Sequence, residues 1–228
     1  MLCLMEMDGD IMGKLVQLKR SLTSNDLVRM RIPRRYWKVT FDAISDKLAE
    51  GATRTPKQAV REYLENMDAY FEEGVGVLFW GTNGTGKTSL SVVIAKEYRR
   101  RMRTVLFMDA ADLKRLVIEK EHFDEDETFW QRANSVDVLV LDDLGKGAQD
   151  RTGFGARLID ELIRTRNSNQ RVTIITTNMR PKQEAKGEKL GDVLKPSTMA
   201  SLKEHVKAVH IAGADFRIDT ARRLNRHG

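Results

Sequence analysis

The residues Gly81-Thr82-Asn83-Gly84-Thr85-Gly86-Lys87-Thr88 are the part of this sequence best suited to chemistry. They fit the pattern G-x-x-x-x-G-K-[ST], in which backbone N–H groups turn inward on phosphate oxygens. Glycine permits this because it accepts positive φ and puts no Cβ between backbone and ligand. Lys87 can reach the β- and γ-phosphates of a nucleoside triphosphate, and the Thr88 hydroxyl can ligate Mg²⁺. Ser89 closes the stretch assigned to nucleotide binding. The competing reading is a glycine turn between strand and helix. With glycine near 7% of residues, a chance match in a chain of this length is on the order of 1%. The flanking apolar segments lower that figure further.

Two other groups have the right chemistry. Val138-Leu139-Val140-Leu141 runs directly into Asp142-Asp143, so an apolar strand delivers two carboxylates. Asp142 is assigned to Mg²⁺ and its water shell, and Asp143 to the general base that activates the attacking water. The run Val172 to Thr177 ends in Thr176-Thr177-Asn178. Ligands of open parallel sheets bind beyond the carboxyl ends of strands, where Asn178 could meet a γ-phosphate and orient the lytic water. The alternative for Asn178 is the start of a turn.

These residues need a scaffold, and the pattern supplies one. Val75 to Trp80 reads as a buried strand before the glycine loop, and Leu90 to Tyr98 as the helix after it. Thr55 and Pro56 predict the start of a helix over residues 57–73, with Val60, Tyr63, Leu64, Met67 and Phe71 as its apolar stripe. Thr104 to Met108 predicts a second strand and Ala111 to Lys120 a helix capped by Asp109. The acidic turn His122 to Glu127 leads to a short helix, Phe129 to Ala133. Gly145 to Gly155 reads as a glycine-rich loop and Phe154 to Arg166 as an amphipathic helix. Lys182 to Lys195 reads as a polar loop, Ser197 to Lys207 as a helix, and Val209 to Ile211 as a short last strand. Weak helical periodicity over Lys14 to Leu22 ends before Ile32-Pro33, because proline disfavours helix at the residue before it. Strands alternating with helices predict an α/β fold with a central parallel sheet flanked by helices. The expected division is a short extension over residues 1–31 and one domain over 32–228 with a basic C-terminal segment.

Composition narrows the classes. A chain of 228 residues, 41% hydrophobic and 32% charged, can bury one core plus a small appendage. No apolar run approaches the ~20 residues of a membrane helix. Met1 to Met5 is too short for a signal peptide and is followed by Glu6, Asp8 and Asp10, so a cytoplasmic location is expected. Cys3 is the single cysteine, which rules out an intrachain disulfide or a cysteine zinc site. His122, His205, His210 and His227 lack metal-ligand spacing. The net charge of +6 suits a polyanionic partner. The basic clusters are Arg29-Arg31-Arg34-Arg35, Arg99-Arg100-Arg101-Arg103 and Arg217-Arg222-Arg223-Arg226. Each has a plain alternative as a solvated helix face or helix end.

In order, the phosphate loop, Val138 to Asp143 and Thr173 to Asn178 resemble the AAA+ ATPases. Among these they resemble the DnaC/DnaI helicase loaders and the related IstB transposition ATPases. Ile32-Pro33-Arg34-Arg35-Tyr36-Trp37 with Thr40-Phe41, Phe107 to Leu113 and Gly213-Ala214-Asp215-Phe216-Arg217 match further family segments. The resemblance covers roughly residues 32 to 220. It implies a P-loop NTPase core that binds and hydrolyses ATP with Mg²⁺. It implies Asn178 as sensor 1 and Arg217 as sensor 2, reaching the phosphates within the subunit. It also implies a homo-oligomer with ATP at its interfaces and DNA, expected to be single-stranded, in the pore. The partner would be a replicative helicase or, for the IstB type, a transposase.

The sequence departs from this pattern twice. The family's Ser-Arg pair, whose arginine reaches a neighbour's ATP, falls on Ala200-Ser201-Leu202-Lys203. Leu202 brings no charge, Lys203 lacks the guanidinium fork, and Arg166 or Arg180 could substitute. Residues 1–31 are also too few for the separate N-terminal domain that loaders usually carry. The leading reading is a replicative helicase loader. The alternatives are an IstB-like transposition ATPase and a nucleotide-gated DNA-binding adaptor with little hydrolysis. A small-molecule kinase fits Asn178 and Arg217 poorly, and no LSGGQ-like stretch supports an ABC ATPase.

Overall fold

Hydrophobic β-branched runs, buried on both faces, build the centre of the molecule. The structure is a computed structural model that describes residues 20–50, 52–113, 129–145, 153–181 and 189–212. Its strands are β1 (Gly76–Trp80), β2 (Val105–Asp109), β3 (Val138–Leu144), β4 (Val172–Thr177) and β5 (Val206–His210). All pair in parallel, in the order β2-β3-β4-β1-β5. Side chains alternate across the sheet. Val77, Phe79, Val138, Val140, Val172 and Ile174 point into one apolar cluster, and Leu78, Leu139, Leu141 and Ile175 into the other.

Helices cover both faces. The first cluster takes in α1 (Ser24–Arg29), α2 (Pro56–Glu65), α3 (Met67–Glu72) and α4 (Lys87–Arg100). The second takes in α5 (Phe129–Ser135), α6 (Phe154–Ser168) and α7 (Pro196–His205). The α/β fold expected from the sequence is the one observed. The Thr55 cap is also observed: its side chain accepts the N–H of Gln58, whose side chain accepts the N–H of Thr55.

Several boundaries move for local reasons. The single helix expected over 57–73 breaks at Asn66, with φ −103° and ψ 9°. The Asn66 side chain donates to the Glu62 carbonyl at 2.8 Å and competes with the helix for its own backbone. The helix after the glycine loop starts at Lys87 and runs to Arg100, well beyond Leu90 to Tyr98. β5 begins at Val206, so α7 stops at His205 instead of Lys207. The loop expected over Lys182 to Lys195 is partly built into the core. Leu190 to Asp192 forms a 3-10 turn, and Leu190, Val193 and Leu194 are buried. Their i, i+3, i+4 spacing is a helical-turn signal that the polar residues around them mask.

Residues from the expected N-terminal extension pack into the same core. Thr23 and Asp26 form a capping box, Leu27 and Met30 are buried, and the Phe107 N–H donates to the Met30 carbonyl at 2.8 Å. The chain therefore covers the β2 edge, which otherwise offers unpaired backbone groups. A second 3-10 turn, Arg34–Tyr36, follows at once. Asp109 accepts the Ala111 N–H at 2.9 Å, as the expected cap should, and a helical turn begins at Ala110. The remainder of that helix, the acidic turn at 122–127, most of the loop at 145–155, residues 14–19 and the basic segment from residue 217 lie outside the described residues.

Candidate active site

β1 ends where the glycine loop begins, and α4 starts where it ends, so strand and helix hold the loop from both sides. Gly81 has φ 146°, and a Cβ there would come within 2.2 Å of the Ile211 carbonyl oxygen. Only glycine allows the loop to pass that close to the end of β5. Gly86 has φ 88° and open space where a Cβ would stand. Its missing side chain leaves the helix N-terminus uncovered, with N–H groups and partial positive charge facing outward. The Thr85 hydroxyl ties the loop by donating to the Thr82 carbonyl at 3.0 Å. Lys87 is buried and folds over the loop, its Nζ donating to the carbonyls of Gly81 at 2.9 Å and Thr82 at 2.7 Å.

A cavity of about 650 Å³ opens at this end of the sheet. Asn83, Gly84, Gly86, Lys87, Thr88 and Ser89 line it from the loop and α4. Asp109, Asp142, Asp143, Thr176 and Asn178 line it from the strand ends, and Arg35, Tyr36 and Val39 line it from the segment around the 3-10 turn Arg34–Tyr36.

Both carboxylates lie within β3, as the sequence suggests, and the strand runs one residue past them to Leu144. Leu141 is paired with Ile175 and Leu144 with Thr177, so β3 carries one residue more than β4 between these pairs. This bulge places Asp143 at φ 56° and turns consecutive carboxylates in different directions. Asp142 points inward and is only 6% exposed. Its carboxylate accepts the Thr88 hydroxyl at 2.9 and 3.2 Å and the Thr176 hydroxyl at 2.5 Å. Burial pushes its pKa above the usual carboxylate value, the two hydroxyls pull it back, and the charges of Asp143 and Asp109 push it up again. Asp143 is half-buried. Its N–H donates to Thr176 Oγ1 at 2.9 Å, and its Oδ1 accepts the Asn178 amide at 3.1 Å.

The donor set around Thr88 has the chemistry Mg²⁺ prefers: one hydroxyl beside one carboxylate, both hard oxygen ligands. Among the described residues no cluster of three or more His, Cys, Asp or Glu side chains forms an all-protein metal cage.

The structure thus brings the glycine loop, Lys87, Thr88, Ser89, Asp142, Asp143 and Asn178 to one cavity. Arg217 lies outside the described residues. Leu202, at the place expected for a trans-acting arginine, is a buried core side chain on α7. Arg166 is corrected as a substitute for it. It is 0% exposed, and its guanidinium donates to the carbonyls of Ala133, Val136, Asp137 and Val172 and to the Thr173 hydroxyl. It caps the C-terminal end of α5 and ties it to the starts of β3 and β4. Burial, helped by the charge of Arg171, draws its pKa to about 9, so it stays charged at neutral pH. Arg180 and Lys203 are exposed.

The sequence gives Thr176 and the Arg35–Val39 segment no part in the site, and Asp109 only the part of a helix cap. Thr176 did leave a signal. It is a polar residue in a strand whose neighbours require burial on both faces, so its hydroxyl needs a buried partner. Asp109 is paired in register with Asp142 on the neighbouring strand, which sequence alone does not reveal.

Among the described residues no helix is long and apolar enough to cross a membrane. The family model described as IstB-like ATP binding protein matches residues 39–223. The replicative helicase loader DnaC of Escherichia coli K12 is 27% identical over 136 residues, which is 58% of this chain and 54% of DnaC. The chain spans about half the length of the curated relatives it matches. A crystal structure of the DnaC helicase loader superposes with TM-score 0.63 at 28% identity, covering 79% of this chain and all of that one. A crystal structure of DnaI superposes with TM-score 0.60 at 20% identity, over 81% of this chain and 93% of that one, and supports the fold.

Proposed function

This chain belongs to the IstB-like ATP-binding protein family, and we propose that it is a Mg²⁺-dependent AAA+ ATPase that loads a replicative helicase onto DNA. One observation carries the ATPase part: the hydrogen-bonded row Thr88–Asp142–Thr176–Asp143–Asn178 facing the glycine loop. The likeness to the helicase loader DnaC supports the loading part.

Each residue then has a task. The N–H groups of residues 83–88 and the Lys87 ammonium hold the phosphates. For Lys87 this means exchanging neutral carbonyls for charged oxygens, which are the stronger partners. Thr88 and Asp142 would hold Mg²⁺, which offsets charge on the β- and γ-oxygens. Asp143 accepts a proton from the attacking water, and Asn178 orients Asp143 through the amide contact at 3.1 Å. Arg217 serves as sensor 2. The active form is a homo-oligomer with ATP at subunit interfaces and single-stranded DNA along its pore. Residues 32–228 carry the ATPase domain, with Leu27 and Met30 of the preceding segment packed into its core.

Steady-state ATP turnover, with and without single-stranded DNA, tests this reading. Stimulation by DNA supports it. ATP binding without turnover in either condition supports instead a nucleotide-gated adaptor. The match to the IstB-like family favours a second reading, in which the ATPase regulates a transposase. Co-purification with the host's replicative helicase, or with a transposase, separates the two.

A further inference from the structure

α4 begins at the phosphate loop, and two and a half turns later it carries Lys96, a lysine only 5% exposed. Buried lysines are rare unless their ammonium is satisfied. Here Nζ donates to three backbone carbonyls: Tyr36 at 2.9 Å, Trp37 at 2.8 Å and Val39 at 2.8 Å. Three N–H bonds meet three acceptors, and all three acceptors come from one short segment. That segment leaves the 3-10 turn Arg34–Tyr36, and the Tyr36 carbonyl also accepts the Val39 N–H at 3.1 Å. Trp37 anchors it further by donating its indole N–H to the Ile32 carbonyl at 2.8 Å.

The same segment walls the active-site cavity. Arg35, Tyr36 and Val39 line it together with the phosphate loop. A polyphosphate held at residues 83–88 leaves the rest of the cavity for the nucleoside, and Arg35, Tyr36 and Val39 line that cavity. One helix therefore controls both halves of the site: its N-terminus presents phosphate donors, and Lys96 fixes the wall.

We propose that Lys96 is a positioning residue for the nucleoside half of the ligand, clamping Tyr36, Trp37 and Val39 so that the site binds a nucleotide more tightly than its polyphosphate alone. This inference rests on the reading of Gly81–Thr88 as the phosphate loop.

The test compares wild type, Lys96→Met and Lys96→Arg for binding of ATP and of inorganic tripolyphosphate, with melting midpoints measured alongside. Met keeps the apolar stem and removes the donors, whereas Arg restores donors. For Lys96→Met, ATP binding weakens about tenfold, tripolyphosphate binding changes less than about twofold, and Lys96→Arg recovers part of the loss. Equal weakening of both ligands, or of neither, overturns the proposal and leaves the phosphate-loop reading standing. A wild-type protein that binds neither ligand overturns both. If Lys96→Met does not fold, hydrogen exchange on the wild type decides. The Trp37 and Val39 amides should be slowed by ATP and not by tripolyphosphate, and an equal response to both overturns the proposal.

Discussion

The Thr176 hydroxyl donates to Oδ1 of Asp142 across 2.5 Å while accepting the N–H of Asp143 at 2.9 Å. One hydroxyl on β4 thereby fixes the Asp142 carboxylate and the Asp143 backbone. Thr176→Val keeps the shape and removes the hydroxyl. ATP turnover should fall roughly 10- to 100-fold, the usual cost of losing a residue that orients a metal ligand. Thr176→Ser should retain most of the activity. Unchanged turnover in the valine variant would show that β3 holds its carboxylates without help.

Lys87 and Asp143 should separate binding from chemistry. Lys87→Ala removes the ammonium from the loop, and ATP binding measured by calorimetry should be lost. Asp143→Asn preserves shape and should preserve ATP binding. Its turnover should drop by roughly 10²- to 10⁴-fold, the range of a lost general base. Retained turnover would move that role to another group.

Arg166 is a structural cation, so its removal should be read in stability and not in catalysis. Arg166→Leu leaves several buried carbonyls without donors. The expected cost is about 3 kcal/mol or more, which lowers the melting midpoint by about 6 °C or more in a domain of this size. A normal melting midpoint with lost DNA-stimulated turnover would instead return Arg166 to a role in a neighbour's site.

Asp26 gives the fold an acid-sensitive joint. The Thr23 N–H, then the Arg99 guanidinium, hold its pKa down to about 2, against 3.8 for a free carboxyl. A carboxyl depressed on folding contributes stability that is complete above about pH 4 and lost as pH falls toward 2. Urea midpoints followed across that window should decline more steeply for wild type than for Asp26→Asn. Parallel curves would mean that other carboxylates control acid unfolding.

Leu202 offers a check on the oligomer. Leu202→Arg restores the residue type that the family resemblance expects at this place, yet the side chain is buried in the core beneath α7. The substitution should destabilise the protein and leave turnover no higher than wild type. Faster hydrolysis would show that α7 turns this position toward a neighbour.

The parts legible in the sequence were those with strong local signals. The phosphate loop, the apolar strands and the Thr55-Pro56 helix start each announce themselves within a few residues. Asp142 was legible because an apolar run leads straight to it. The parts missed depend on register between distant segments. Only the pairing of β3 with β4 brings Thr176 beneath Asp142, and only the extra residue in β3 separates the directions of Asp142 and Asp143. Arg166 misled because a basic residue late in an amphipathic helix reads as exposed. Its six acceptors come from three segments that meet only in the folded chain.

The position of β1 has a consequence for how the protein is made. β1 pairs with β4 on one side and β5 on the other, so both neighbours of the phosphate-loop strand are synthesised long after it. Until Val172–Thr177 leaves the ribosome, Gly76–Trp80 has no partner strand, and until Val206–His210 follows, Gly81 has no Ile211 carbonyl to pack against. Such long-range pairings form slowly, and their unpaired strands are open to wrong contacts while they wait. The nascent chain therefore carries its phosphate-binding residues early and gains a working phosphate site late, which makes nucleotide capture a mark of the finished fold.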